Sequence, residues 1–159
     1  MRRGPAFALA ALLLAVDQAV KAWLHAAVLA PHKAIPVTGF CNLVLVWNRG
    51  VSFGLLGDAE RTAGLIAAVT ALVIAALAVW LWRAPEPRVR LALGLVLGGA
   101  LGNLVDRLRF GAVLDFLDLH AFGYHWPAFN VADAAITVGA AVLVADALLA
   151  GRGGQKEKE

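Results

Sequence analysis

Carboxylates accompanied by amides are the side chains in this sequence best suited to chemistry. Asp115 stands alone within an apolar run, and Asp133 lies near the start of another apolar segment, with Asn130 on the same helical face. Two carboxylates held close together cannot both ionise, so they share a proton. One can then activate water as a general base while the other protonates the leaving group. The sequence offers candidates for such a pair but does not give the distance between them.

Further polar residues occur at helical spacing inside apolar segments. Asp17 and Lys21 are four residues apart and can pair on one helix face, either as a structural ion pair or as groups beneath a site. Asn103, Asp106 and Arg107 share a second helix face, which predicts a polar network. Arg107 could pair with Asp106 or with a lipid phosphate, and we favour the structural pair with Asp106.

Other kinds of chemistry have little support in the sequence. Ser52 is the only serine and has no histidine near it, and Cys41 is the only cysteine, which permits no intramolecular disulfide. The four histidines show no metal-ligand spacing, and there is no glycine-rich phosphate loop. The net charge of +3 is also too small to indicate nucleic acid.

The composition indicates that the elements carrying these residues lie in a membrane. The 159 residues are 61% hydrophobic and only 16% charged, and the mean hydropathy is +0.76. Soluble domains are roughly half apolar and about a quarter charged. One small soluble core cannot bury so large an excess of apolar side chains.

Four segments are long and apolar enough to cross a hydrocarbon core about 30 Å thick. They cover residues of about 5–28, 62–82, 89–108 and 130–150. The polar stretch at about 31–56 contains a β-branched and aromatic run, which predicts a small β region on the membrane surface. The predicted fold is an all-α membrane protein of four transmembrane helices with a small extracytoplasmic sheet between helices 1 and 2.

The distribution of lysine and arginine predicts the orientation. The N-terminal segment, the link between spans two and three, and the C-terminal segment hold eight of the 14 basic residues. Four alternating helices place these segments on one side, which is the cytoplasmic side by the positive-inside rule. Residues 1–150 then form one membrane domain, and 151–159 form a polar cytoplasmic tail. On this topology the outer half of the membrane holds Asp17, Lys21, Asn48, Asn103, Asp106, Arg107, Asp115, Asn130 and Asp133.

Five blocks of this sequence resemble, in the same order, the motifs of bacterial lipoprotein signal peptidases. This family, also called signal peptidase II, consists of intramembrane aspartyl peptidases. The blocks are Asp17–Lys21, Asn48–Gly54, Gly98–Arg107, Gly111–Phe116 and Trp126–Asp133. The resemblance extends over nearly the whole chain. Val51 and Ser52 replace two small residues, often alanines, that many members carry, and this departure leaves the motif carboxylates and asparagines in place.

The resemblance implies cleavage of prolipoproteins just before a diacylglyceryl-modified cysteine, with Asp115 and Asp133 as the catalytic dyad that activates water. It also implies a set of substrate-binding or supporting residues, namely Asp17, Lys21, Asn48, Gly50, Asn103, Asp106, Arg107 and Asn130. The surface strands would correspond to the family's β-cradle, which helps to clamp the substrate. The resemblance further implies membrane lipid as a partner, inhibition by globomycin and a site on the extracytoplasmic side of the bacterial inner membrane. It implies no metal and no organic cofactor.

Two alternatives to a peptidase remain. Intramembrane carboxylates are also typical of proton relays, so a small transporter or proton-conducting subunit is the first alternative. A relay would distribute its ionisable groups across the whole membrane, whereas these cluster on one side. A four-helix scaffold is the second alternative, with Gly94, Gly98 and Gly102 as its packing face. A scaffold leaves Asp115 and Asp133 unexplained.

Overall fold

Four long helices form the body of the protein, seen in a computed structural model that describes residues 3–28, 34–50 and 59–153. They are α1 (Gly4–Trp23), α2 (Ala59–Arg83), α3 (Pro87–Phe110) and α4 (Val131–Gly153). A single π-helical turn, Leu24–Val28, continues α1. Each helix includes a stretch long and apolar enough to cross a membrane, which confirms the prediction of four spans.

A small antiparallel sheet joins the helix ends. Its strands are β1 (Ile35–Thr38), β2 (Cys41–Asn48), β3 (Val113–Ala121) and β4 (Tyr124–His125), and they pair in sequence order. The first two strands lie between α1 and α2, as predicted. The other two lie between α3 and α4, where no strand was predicted. The sheet is thus built from two distant parts of the chain.

Parts of the expected surface region fall outside the described residues. These are residues 31–33 and 51–56, which include the departures at Val51 and Ser52. The end of the expected tail, residues 154–159, also falls outside them.

Helix α3 is the central helix, because small residues let α1 and α4 approach its backbone. A Cβ atom on Gly94 would lie 2.6 Å from the carbonyl oxygen of Ala6 on α1. A Cβ atom on Gly139 of α4 would lie 2.7 Å from the carbonyl oxygen of Ala92 on α3. This close approach of backbones confirms the packing role predicted for the glycine face of α3.

Both ends of α3 are fixed by specific contacts. At its C-terminal end, Gly111 adopts a left-handed conformation (φ 67°) and donates its N–H to the carbonyl of Arg107 at 2.9 Å. This cap turns the chain into β3. At the opposite end, Arg88 forms an ion pair with Asp146 of α4, and Arg90 donates to the carbonyl of Ala84 at 3.1 Å.

Candidate active site

Asp115 lies near the start of β3 and is 1% exposed. Both of its carboxylate oxygens accept hydrogen bonds from asparagines. Asn130 Nδ2 donates to Oδ1 at 2.7 Å, and Asn48 Nδ2 donates to Oδ2 at 2.9 Å. The N–H of Gly50 in turn donates to Asn48 Oδ1 at 2.8 Å. Gly50 adopts a left-handed conformation (φ 81°).

Asp133 lies in the first turn of α4 and belongs to its N-terminal cap. Asn130 Oδ1 accepts the N–H of Asp133 at 2.9 Å, and Asp133 Oδ2 accepts the N–H of Asn130 at 3.2 Å. This reciprocal arrangement is a capping box, with a carboxylate at the third helical position. The other oxygen, Oδ1, accepts Asn103 Nδ2 at 2.7 Å. Asn130 therefore contacts both Asp115 and Asp133.

The surroundings of Asp115 raise its pKa. The pKa of Asp115 is raised to about 6, because the effect of burial outweighs the hydrogen bond from Asn48, which lowers the pKa, and the charge of Asp133 raises it further. The geometric link between the two carboxylates is Asn130, which donates to an oxygen of each.

A second, fully buried group of charges lies behind the two aspartates. Lys21 Nζ is 2.8 Å from Asp17 Oδ2 and 2.8 Å from Asp106 Oδ2. The pair predicted between Asp17 and Lys21 is thus confirmed. Lys21 also donates to Asn103 Oδ1 at 3.2 Å, which connects the charges to the asparagine that holds Asp133.

The predicted pair between Asp106 and Arg107 is wrong. Asp106 pairs with Lys21, whereas Arg107 Nη1 donates to the carbonyl of Asn103 at 3.3 Å. Consecutive residues of a helix point about 100° apart, so Asp106 faces the packed interior while Arg107 lies at its edge. A partner on α1 is not visible from the spacing of residues within α3.

Gln18 is a member of this network to which the sequence analysis gave no role. Its Nε2 lies 2.8 Å from Asp106 Oδ1, 3.2 Å from the carbonyl of Gly102 and 3.3 Å from Asp17 Oδ2. The signal available in the sequence was an amide next to Asp17 inside an apolar span. An amide there needs partners of its own, because a polar group without them is costly to bury.

Hydrogen bonds and ion pairs connect all the predicted site residues. Arg107 is connected only by its bond to the backbone carbonyl of Asn103. In chemical terms, the site presents two interacting carboxylates, one of them with a raised pKa, and amide groups that fix their orientation. Carboxylates arranged in this way can activate water by general acid–base catalysis. Asp115 lies on β3 shortly after the end of α3, and Asp133 lies in the first turn of α4, so neither is in the middle of a span.

Comparisons with known proteins point to one family. The peptidase family model described as signal peptidase (SPase) II matches residues 9–149. A lipoprotein signal peptidase of Syntrophotalea carbinolica is 47% identical over 140 residues, covering 86% of each chain. One from Rhodopseudomonas palustris is 43% identical over 146 residues, covering 88% of this chain and 89% of its own. A bacterial membrane enzyme solved by the in meso method at 2.3 Å superposes with a TM-score of 0.78 at 30% identity, covering 98% of this chain and 94% of that one.

Proposed function

This chain belongs to the signal peptidase (SPase) II family of peptidases, and on that basis we propose that it is an aspartyl endopeptidase acting on prolipoproteins. It removes the signal peptide by cleaving just before the diacylglyceryl-modified cysteine. Asp115 and Asp133 form the catalytic dyad. The observation that carries this assignment is that one asparagine, Asn130, donates to both carboxylates, through its side chain to Asp115 and through its backbone N–H to Asp133.

The dyad acts with one proton shared between the two carboxylates. The ionised member takes a proton from water as the water oxygen attacks the scissile carbonyl carbon, and the protonated member donates a hydrogen bond to the carbonyl oxygen. The tetrahedral intermediate then collapses, the C–N bond breaks, and a carboxyl proton passes to the leaving amine nitrogen. Because the pair titrates as a unit, the two roles belong to the dyad and not to a fixed residue.

The position of the dyad suits a substrate that carries lipid. Asp115 follows the C-terminal end of α3, and Asp133 lies at the N-terminal end of α4. At this depth the diacylglyceryl chains remain among membrane lipids while water can reach the scissile bond. Substrate-binding or supporting roles then fall to Asn48, Gly50, Asn103, Arg107 and Asn130.

The protein is a multi-pass membrane protein, and we assign it to the bacterial cytoplasmic (inner) membrane. Both termini face the cytoplasm, since the basic residues concentrate in the segments on their side. The dyad and the sheet face the opposite, extracytoplasmic side, where a translocated prolipoprotein presents its modified cysteine.

Peptide cleavage in detergent tests this function. Purified protein is incubated with a diacylglyceryl prolipoprotein peptide and, as the matched control, with the same peptide lacking lipid. Mass spectrometry should find one product that begins with the lipidated cysteine, little cleavage of the control, and inhibition by globomycin. Cleavage at another position, or no cleavage of the lipidated peptide, would contradict the proposal. The absence of cleavage would favour the transporter or scaffold alternative.

A further inference from the structure

The residues that precede the two dyad aspartates have their backbone N–H groups held in the same way. The N–H of Leu114, immediately before Asp115, donates to Asp106 Oδ2 at 3.2 Å. The N–H of Ala132, immediately before Asp133, donates to Asp17 Oδ1 at 3.0 Å. A buried carboxylate therefore fixes the backbone one residue before each dyad aspartate.

Lys21 joins these two carboxylates into one unit. Its ammonium group lies 2.8 Å from an oxygen of Asp17 and 2.8 Å from an oxygen of Asp106. The three side chains come from α1 and α3, while the amides they hold belong to β3 and α4. The ammonium group thus links the two segments from behind, in addition to the hydrogen bonds that join them directly through Asn130.

Helix packing alone does not explain so many buried charges. Asp17 is 0%, Asp106 is 2% and Lys21 is 4% exposed. Well-packed apolar residues usually stabilise a fold as well as a buried ion pair does, because removing charges from water is costly. The directional bonds of Asp17 and Asp106 to backbone N–H groups supply something apolar residues cannot, namely a defined position for each peptide bond.

Two neighbouring residues complete the unit. Gln18 donates to Asp106 Oδ1 at 2.8 Å, whereas Lys21 and Leu114 contact the other oxygen, Oδ2. Both oxygens of this carboxylate are therefore held. Gly102 leaves room for Asp17, since a Cβ atom there would lie 2.6 Å from Asp17 Oδ2. That oxygen is the one that contacts Lys21.

We propose that Asp17, Lys21 and Asp106, supported by Gln18 and Gly102, form a positioning unit that sets the separation of Asp115 and Asp133. This inference rests on the proposed role of the dyad. The unit acts on the dyad through the backbone N–H groups of Leu114 and Ala132 and, from Lys21, through Asn103. Displacing a catalytic group by about 1 Å can lower a rate about 100-fold, so the unit controls the rate of the chemical step.

Two glycine variants on one face of α3 provide a matched test. Gly102→Ala and Gly94→Ala each place a Cβ atom 2.6 Å from an oxygen of α1, but only Gly102→Ala meets the carboxylate of Asp17. We expect Gly102→Ala to lower kcat at least about tenfold with little change in KM, and to move the pH profile of kcat/KM. Gly94→Ala should lower thermal stability while the folded fraction keeps its kcat and its profile.

A milder variant serves if Gly102→Ala does not fold. Gln18→Met removes the hydrogen bond to Asp106 from a partly buried position, and we expect kcat to fall about three- to tenfold, again with KM unchanged. Its control is Asp146→Asn, which removes the ion pair with Arg88 at the other end of α3 and α4. A folded Gly102→Ala or Gln18→Met with the wild-type kcat and pH profile would overturn the proposal, as would equal shifts in the controls.

An infrared titration separates this inference from the proposed function. The carboxyl band of Asp115, identified by its loss in Asp115→Asn, reports protonation without substrate. If the wild type cleaves no prolipoprotein peptide, the proposed function fails, and the band alone decides the positioning claim. Separation of the two carboxylates weakens their repulsion, so the midpoint should fall in Gly102→Ala and stay constant in Gly94→Ala. An unchanged midpoint in Gly102→Ala would overturn the positioning claim.

Discussion

Two asparagines on β2 form the same hydrogen bond to two different aspartates on β3. Asn48 Nδ2 donates to Asp115 Oδ2 at 2.9 Å, and Asn42 Nδ2 donates to Asp118 Oδ2 at 2.9 Å. The pKa of Asp118 lies below its ordinary value because of the bond from Asn42 and a further bond with His125. The pKa of Asp115 is raised to about 6 because burial outweighs the bond from Asn48.

This difference leads to a prediction for Asn48→Ala. Removing a donor that favours the ionised carboxylate raises the pKa of Asp115 further. The limb of the pH profile of kcat/KM that belongs to Asp115 should therefore move to higher pH, whether that limb is the acidic or the alkaline one. Kinetics at a series of pH values provide the measurement. Asn42→Ala is the matched control and should leave both limbs in place; a limb that moves to lower pH in Asn48→Ala would contradict this account.

At the residue scale, local contacts could be predicted from the sequence and distant ones could not. The pair of Asp17 with Lys21 follows from a spacing of four residues on one helix. The partner of Asp106 lies on a different helix, so spacing within α3 suggested Arg107 instead. The roles of Gln18 and of the N–H groups of Leu114 and Ala132 also depend on tertiary contacts, which a single sequence does not display.

At the scale of elements, β3 is the feature that the sequence analysis missed. Its first four residues, Val113–Phe116, are all buried, so the alternation that identifies a half-buried strand is absent. Its pairing with β2 is interrupted by a register shift between Leu43 and Val46, which further disturbs the pattern. The helices have no such difficulty, because their length and apolar composition are sufficient to identify them.

The turn between α3 and β3 gives a prediction about stability. Gly111 has a φ of 67°, and an alanine there would carry a strained left-handed backbone. We expect Gly111→Ala to lower the free energy of unfolding by about 1 kcal/mol, seen as a Tm lower by a few degrees in detergent. Gly64→Ala is the control, because this exposed helical glycine has no atom near its added Cβ. Equal Tm values for Gly111→Ala and the wild type would contradict the assigned role of the cap.

At the scale of the whole molecule, the proposed orientation places the sheet and the α2–α3 turn on opposite sides of the membrane. Single cysteines introduced in a Cys41→Ser background test this directly. Gly39→Cys lies in the exposed β1–β2 turn, and Pro85→Cys lies in the exposed α2–α3 turn. We expect a membrane-impermeant maleimide to label Gly39→Cys in intact spheroplasts and Pro85→Cys only after lysis. The reverse pattern would show that the termini face outward.

The catalytic role of Asp115 and Asp133 is the central claim for the molecule as a whole, because the helices, the sheet and the buried charges together position these two residues. Cleavage of the diacylglyceryl peptide by the wild type, Asp115→Asn and Asp133→Asn tests that claim most directly. Asp118→Asn is the matched control, since Asp118 also lies on β3 and accepts an asparagine bond. We expect both dyad variants to fold and to lose activity about 10²–10⁴-fold, while Asp118→Asn retains it. Near-wild-type turnover by a folded Asp115→Asn or Asp133→Asn would contradict the account.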